Sequence, residues 1–307
     1  MSDLKLTILG NGSAVPTSFS SPSSQLLTSE KSQFLFDCGE GTQMQMIKFK
    51  VKYRKLENIF ISHLHGDHYY GLIGLISTFH LFGREKPLTI YASSALEGLI
   101  CSQLKVSNTK LCYKLNFVHL EDFSDQVLIE DDTYTIRCFP LIHSIPTWGF
   151  VYREKLRKSR INKDFLNDKS LSLEQILKIK GGDDFIDDKG KKHDNSIITI
   201  PPKKPLSYAY CSDTAYNELI IDKIKDASLL YHEATFDNAM KKVATEKMHS
   251  TAAQAAMIAK KSMSSKLLLG HFSARFNDTN ILLKEARELF PNTFISKEGH
   301  TYNIENK

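Results

Sequence analysis

Six consecutive residues, His63-Leu64-His65-Gly66-Asp67-His68, carry three imidazoles and a carboxylate. His63 and His65 are two apart in an extended stretch and can aim their rings the same way, which leaves Asp67 and His68 to turn toward a second position. Imidazole suits zinc, and a carboxylate neutralises and bridges charge where two dications sit close together. The spacing therefore points to a two-metal site able to activate water and stabilise an in-line displacement at phosphorus.

Such a site needs ligands from distant segments. Apolar, β-branched runs about the length of strands occur at 58–62, 134–142, 205–212, 228–231 and 266–270, and each is followed at once by a titratable residue: His63, His143, Asp213, His232 and His271. The expected division puts His63, His65 and His143 on the first metal and Asp67, His68 and His271 on the second, with Asp213 bridging. His232 is expected to be a buried strand-end histidine, with a role behind the ligands as the alternative. His80, His119, His193 and His300 lack ligand-like spacing and are expected to take no metal.

Helical patterns separate the runs, at 69–82, 95–106, 216–225, 251–263 and 279–290, with Ser250 as the expected N-cap of the fourth. Strands alternating with helices, and polar groups gathered at strand ends, describe an α/β layered protein whose site lies along one sheet edge. One stretch departs from this pattern. Residues 153–193 have few β-branched runs, a diglycine at Gly181-Gly182, and 12 Lys/Arg against 8 Asp/Glu. That excess of four positive charges is most of the chain's net +5, and the composition suits a protruding arm inserted into a domain spanning 1–307. A short amphipathic helix is expected over 171–179.

The rest of the composition excludes more than it identifies. At 307 residues and 41% hydrophobic the chain can bury a large core. No apolar run approaches the roughly 18 residues a bilayer span needs, so a soluble, unprocessed protein with no membrane partner is expected. The five cysteines (Cys38, Cys101, Cys112, Cys138 and Cys211) are odd in number and never spaced as C-x-x-C. They support neither a disulfide framework nor a thiolate zinc site; packing roles in a reducing cytoplasm are expected.

The motifs in order resemble the short form of the ribonuclease Z family, the tRNA 3′-endonucleases of the metallo-β-lactamase superfamily. The resemblance is carried by Leu9-Gly10-Asn11-Gly12-Ser13-Ala14-Val15-Pro16-Thr17, Phe36-Asp37-Cys38-Gly39-Glu40-Gly41-Thr42-Gln43, the histidine run, His143-Ser144, Ser212-Asp213-Thr214, His232-Glu233-Ala234-Thr235 and His271-Phe272-Ser273-Ala274-Arg275. The histidine run marks only the superfamily, whereas the Asp37–Gln43 and His232–Thr235 segments are close to a family signature. The resemblance implies an αββα sandwich, two Zn2+ per subunit (with Mn2+ as an alternative), a homodimer, and an arm that grips precursor tRNA.

For residues, it implies a proton donor, His249, paired with Glu233, which orients its ring and raises its pKa. Asp67 is also expected to orient the attacking water or take its proton. The turn holding Asp37, Glu40 and Thr42 is expected either to fix ligand orientation or to be plain turn chemistry. Arg275 and the arm residues Arg153, Lys155, Arg157, Lys158, Arg160 and Lys163 are expected to contact phosphates. Two departures stand out: the family's Pro-x-Lys-x-Arg-Asn pattern is replaced by Pro16-Thr17-Ser18-Phe19-Ser20-Ser21, and the arm lacks Gly-Pro repeats. The competing readings are a small-molecule phosphodiesterase or arylsulfatase of the same superfamily, and an RNA-binding protein without turnover.

Overall fold

The computed structural model describes residues 4–123, 125–166 and 171–306; the expectations that touch residues 1–3 and the centre of the arm, 167–170, lie outside them. The chain divides into two compact units, a larger one of residues 1–130, 135–152 and 206–307 and a smaller one of residues 131–134 and 153–205.

In chain order the strands are β1 (Leu4–Gly10), β2 (Ser24–Thr28), β3 (Gln33–Cys38), β4 (Leu56–Phe60), β5 (Leu88–Ala92), β6 (Leu115–His119), β7 (Val127–Glu130), β8 (Tyr134–Pro140), β9 (Trp148–Glu154), β10 (Arg160–Ile161), β11 (Phe185–Ile186), β12 (Lys192–His193), β13 (Thr199–Ile200), β14 (Ser207–Cys211), β15 (Leu229–Glu233), β16 (Leu267–Gly270), β17 (Thr293–Ile295) and β18 (Thr301–Ile304). Among the described residues two seven-stranded sheets result, ordered β18-β1-β2-β3-β4-β5-β6 and β17-β16-β15-β14-β9-β8-β7. The strands β3 to β6 pair in parallel, as do β14 to β17. Parallel neighbours need crossovers, supplied in part by the helices Thr42–Lys48, Leu72–Leu81, Ser94–Val106, Ala252–Lys261 and Asn280–Leu289.

The period-two alternation of strand side chains sorts the core into layers. In β3, the Phe36 ring lies 5.8 Å from Phe150, 5.6 Å from Tyr208 and 5.7 Å from Tyr210, all on the second sheet. Leu35, between Phe34 and Phe36, joins the opposite core with Leu72, Leu75 and Ile76 of a covering helix. In β14 the same logic sends Tyr208 and Tyr210 between the sheets and Ala209 and Cys211 toward Ala252, Ala255 and Ile258. Helix, sheet, sheet and helix thus stack as an αββα sandwich of the metallo-β-lactamase type, with an aromatic layer at its centre.

Several elements differ from the sequence expectation. The pattern at 216–225 gives only a 3-10 turn at Glu218–Ile220, because Asn217 caps Leu219 N and turns follow at once. The N-cap of the fourth helix is Thr251, not Ser250: Thr251 and Gln254 form a reciprocal capping box, while the Ser250 hydroxyl donates to Thr214 O at 2.7 Å. His232 and Glu233 lie inside β15 rather than after it. Of the cysteines assigned to packing, Cys101 and Cys112 are exposed, Cys101 on the outer helix Ser94–Val106.

The smaller unit has a core of its own, made of Ile161, Ile179, Phe185 and Ile198. Its helix, Leu173–Gly181, starts at a Ser172/Gln175 capping box and ends at Gly182, whose φ of 114° favours glycine. Its described residues also form two short ribbons, β10-β13 and β11-β12. The expected arm, 153–193, stops too early: Ile198 fills that core and Thr199 and Ile200 pair with β10, so the unit runs to Pro205.

Candidate metal centre and active site

The polar groups of the site come from the ends of strands in both sheets. His63, His65, Asp67 and His68 lie just beyond β4, His143 beyond β8, Asp213 beyond β14 and His271 beyond β16, while Glu233 ends β15. Gly39 is required where the chain passes the Asp67 backbone, since a Cβ there would sit 2.4 Å from Asp67 O and 2.6 Å from Pro22 Cβ.

The ring nitrogens and carboxylates converge on three overlapping groups, one of them Asp213, His249 and His271. His63, His65, His143 and Asp213 form another, and Asp67, His68 and His271 the third, with ligand atoms of each group within 4.8 Å of one another. Asp213 faces both of the latter. Its Oδ2 lies 3.6 Å from His63 Nε2 and 3.8 Å from His143 Nε2, and its Oδ1 lies 3.5 Å from His68 Nε2 and 3.1 Å from His271 Nε2. Asp67 Oδ2 lies 3.4 Å from both His68 Nε2 and His271 Nε2.

The donor set fits metal cations. His68 Nδ1 gives its proton to Asp37 Oδ2 at 2.7 Å, yet its fully buried Nε2 has no hydrogen-bond partner among the described residues. His143 Nδ1 donates to the carbonyl of Met248 at 3.0 Å, leaving Nε2 as a lone pair only 3.2 Å from His65 Nδ1. Lone pairs gathered around a carboxylate are what a cation satisfies. Asp37 also receives Ser62 N–H at 2.6 Å and the Tyr210 hydroxyl at 2.6 Å. Within the same turn, the Thr42 hydroxyl donates to Gly39 O at 2.7 Å, and Glu40 is exposed.

Electrostatics follow the same division. Burial and the neighbouring His68 charge hold His63 neutral, its pKa well below the usual imidazole range. Burial opposes charge on His68 as well, but Asp213 and Asp37 overcome it and push its pKa well up. Asp213 is held well below the carboxylate range, against burial, by His271 and His68.

Beside these groups stands a second buried carboxylate, Glu233. Its Oε1 accepts from His249 Nδ1 at 2.8 Å and Thr214 N at 3.0 Å. Burial disfavours an imidazolium at His249, but the Glu233 charge and hydrogen bond outweigh it and raise its pKa to about 9. The His249 ring centroid lies 5.0 Å from that of His143 and 5.5 Å from that of His271, so it adjoins both groups.

Part of the strained backbone lies here. Asp37, Met248 and His271 adopt φ of 57°, 54° and 57°, a region costly for non-glycine residues and kept where the surroundings enforce it. Each supplies a site contact described above. Sequence patterning gave no signal for Met248 or Tyr210, one acting through a carbonyl and the other across the sheets.

The remaining candidates lie elsewhere or engage other groups. His232 aligns with Cys211 and Leu269, both in the helix-side core, so alternation turns it away from the metal groups. His80 accepts from Cys112 N, and His119 and His193 pair with Glu97 and Asp187. His300 packs on Tyr302. Arg275 is exposed, its guanidinium 5.8 Å from the Phe236 ring. In the smaller unit Arg157, Lys158, Arg160 and Lys163 are exposed, whereas Arg153 and Lys155 are half-buried. The Pro16–Ser21 stretch forms a turn closed by Thr17 N to Ser20 O at 2.9 Å, with Phe19 exposed on it.

Fold and site together define a metal-dependent hydrolase with the metallo-β-lactamase fold. The family described as anti-Pycsar protein Apyc1 matches residues 4–150. Full-length relatives are closer in extent. Ribonuclease Z of Phocaeicola vulgatus is 42% identical over 305 residues, covering 99% of each chain, and that of Prochlorococcus marinus is 37% identical, covering 98% of this chain and all of its own. The crystal structure of the short form of human tRNase Z superposes with a TM-score of 0.72 at 26% identity, covering 98% of this chain and 100% of the other. The metallo-β-lactamase fold protein YhfI of Bacillus subtilis does so with a TM-score of 0.68 at 22% identity, covering 98% and 99%. The chain belongs to the ribonuclease Z family and is an endoribonuclease.

Proposed function

We propose that the protein is a two-zinc endoribonuclease that removes the 3′ trailer of precursor tRNA, leaving a tRNA 3′-hydroxyl and a 5′-phosphorylated trailer. The first ion would be held by His63, His65 and His143, the second by Asp67, His68 and His271, with Asp213 between them; Mn2+ is the alternative metal. When bound, the pair would activate water and neutralise charge at the phosphate.

The chain's own groups do the rest. Water adds at phosphorus and the bond to the ribose 3′-oxygen breaks, so that oxygen must take up a proton. His249 is the donor: Glu233 holds Nδ1, which leaves Nε2 to deliver a proton to the leaving oxygen. Asp67 orients the attacking water or takes its proton. The observation that carries this reading is the 2.8 Å bond between Glu233 Oε1 and His249 Nδ1 beside both ligand groups, because a buried, orientated acid suits a poor leaving group.

The smaller unit is the tRNA-binding arm in this reading, its exposed Arg157, Lys158, Arg160 and Lys163 meeting duplex phosphates, with Arg153 and Lys155 behind them and Arg275 on phosphate in the larger unit. The protein acts in the cytoplasm as a homodimer. Supporting the dimer, the helix Thr42–Lys48 exposes Met44 and Ile47, one turn apart, and sedimentation at the mass of a monomer would contradict it. No helix among the described residues is long and apolar enough to cross a membrane.

A substrate panel tests the function. The zinc-loaded protein is expected to cleave a 3′-extended tRNA and lose that activity with a chelator. Turnover of a small phosphodiester or sulfate ester without cleavage of the tRNA would favour a small-molecule hydrolase.

A further inference from the structure

Thr235 stands between a carboxylate and an imidazole. Its hydroxyl oxygen is 2.6 Å from Glu233 Oε2 and 2.9 Å from His271 Nδ1. A carboxylate accepting this many donors can only accept, so the hydroxyl proton goes to Glu233. The Thr235 oxygen is then left to accept, and His271 must carry its proton on Nδ1. That makes Nε2, the nitrogen 3.1 Å from Asp213 Oδ1, the one that would offer its lone pair to a cation. The hydroxyl is also 3.4 Å from His249 Nδ1, but that proton already goes to Glu233 Oε1 at 2.8 Å.

The same construction recurs in the other ligand group. Ser62 Oγ is 2.8 Å from Asp37 Oδ2 and 3.0 Å from His63 Nδ1. Ser62 likewise donates to Asp37 and accepts from His63 Nδ1–H, so His63 Nε2 faces Asp213 unprotonated. Both hydroxyls are buried, Ser62 fully and Thr235 at 3% exposure, so neither can be replaced by bulk water without opening the core.

We propose that Thr235 and Ser62 are positioning residues, each a hydroxyl relay from a buried carboxylate that fixes the ring orientation and Nδ1–H tautomer of a metal-binding histidine. The inference rests on the metal-centre reading above. It gives Glu233 two separate duties: Oε1 orients the proton donor His249, and Oε2, through Thr235, orients the ligand His271. The outer partners of ligating histidines shape metal affinity as well as rate.

The test uses the full chain and variants Thr235→Val, Thr235→Ser and Ser62→Ala. In the metal-free protein, imidazole 15N–1H correlation spectra should show the His271 proton on Nδ1 in wild type and Thr235→Ser, and a mixture of tautomers in Thr235→Val. In zinc titrations against a competing chelator, Thr235→Val should weaken one of two bound equivalents about 10- to 100-fold, with Thr235→Ser within a few-fold of wild type. Ser62→Ala should weaken the other equivalent, with the His63 tautomer mixed. Unchanged tautomers and zinc affinity in Thr235→Val would overturn the relay, as would a Thr235→Ser variant no better than valine. A wild type that shows the tautomers but binds no zinc would instead overturn the metal-centre reading alone.

Discussion

Glu233 Oε1 holds His249 Nδ1 at 2.8 Å from a fully buried position, while the His249 side chain keeps 16% of its surface open. One end of the imidazole is therefore fixed and the other faces the site. Replacing His249 with alanine should lower kcat about 100- to 10,000-fold, with zinc content unchanged in elemental analysis. A fall in both together would place His249 among the ligands, a role its proximity to Asp213 and His271 makes geometrically open.

The pair also sets a pH dependence. Glu233 raises the His249 pKa, so the imidazolium persists above neutrality and activity should fall as pH rises through its pKa, about 9 in the metal-free protein. In Glu233→Gln the carboxylate charge is gone, and the alkaline limb of the pH–kcat profile should move down toward 6.5. An unmoved limb in that variant would separate His249 from the proton transfer.

Metal binding should be lost group by group. His65→Ala removes the one ligand that meets its group through Nδ1, and is expected to reduce activity to background and bound zinc to about one equivalent. Wild-type rates in that variant would refute the ligand division.

Neutralising Arg157, Lys158, Arg160 and Lys163 together should raise the Kd for precursor tRNA and flatten its salt dependence, by roughly 0.7 to 0.9 in log–log slope for each phosphate left without its cation. Cleavage of a small phosphodiester should be unaffected. An unchanged slope would assign these four charges to solvent.

His232 gives a stability signature free of the metal groups. Burial lowers its pKa in the folded protein below the 6.5 of an exposed imidazole, and its Nε2 lacks a hydrogen-bond partner among the described residues. Below that pH the unfolded chain takes up a proton that the native chain resists, so this contribution is present above about pH 6.5 and is lost as pH falls. His232→Leu should be less sensitive to acid than wild type in denaturant titrations at about pH 5 and pH 7. Equal losses in the two proteins would mean that His232 protonates while folded.

The clustered histidines and aspartates were legible in the sequence because they follow apolar strands, where the chain must turn and expose its next polar group. The residues that orient them were less so. Tyr210 and Ser62 look like ordinary strand and turn residues, and only the stacking of two sheets brings the Tyr210 hydroxyl to Asp37. The 216–225 pattern misled for a local reason, since an Asn side chain competed with the backbone at the helix start. The end of the smaller unit was missed because Ile198 packs against Ile161 and Phe185, neighbours that no periodicity reveals.

The most direct test of the central claim is end-group mapping on a 3′-extended tRNA after a single turnover with the zinc-loaded protein. One cut at the 3′ end is expected, giving a tRNA that ends in a 3′-hydroxyl and a trailer that begins with a 5′-phosphate. A cyclic or 3′-phosphate end on the tRNA would contradict it, because the proton from His249 would then have gone to the wrong oxygen.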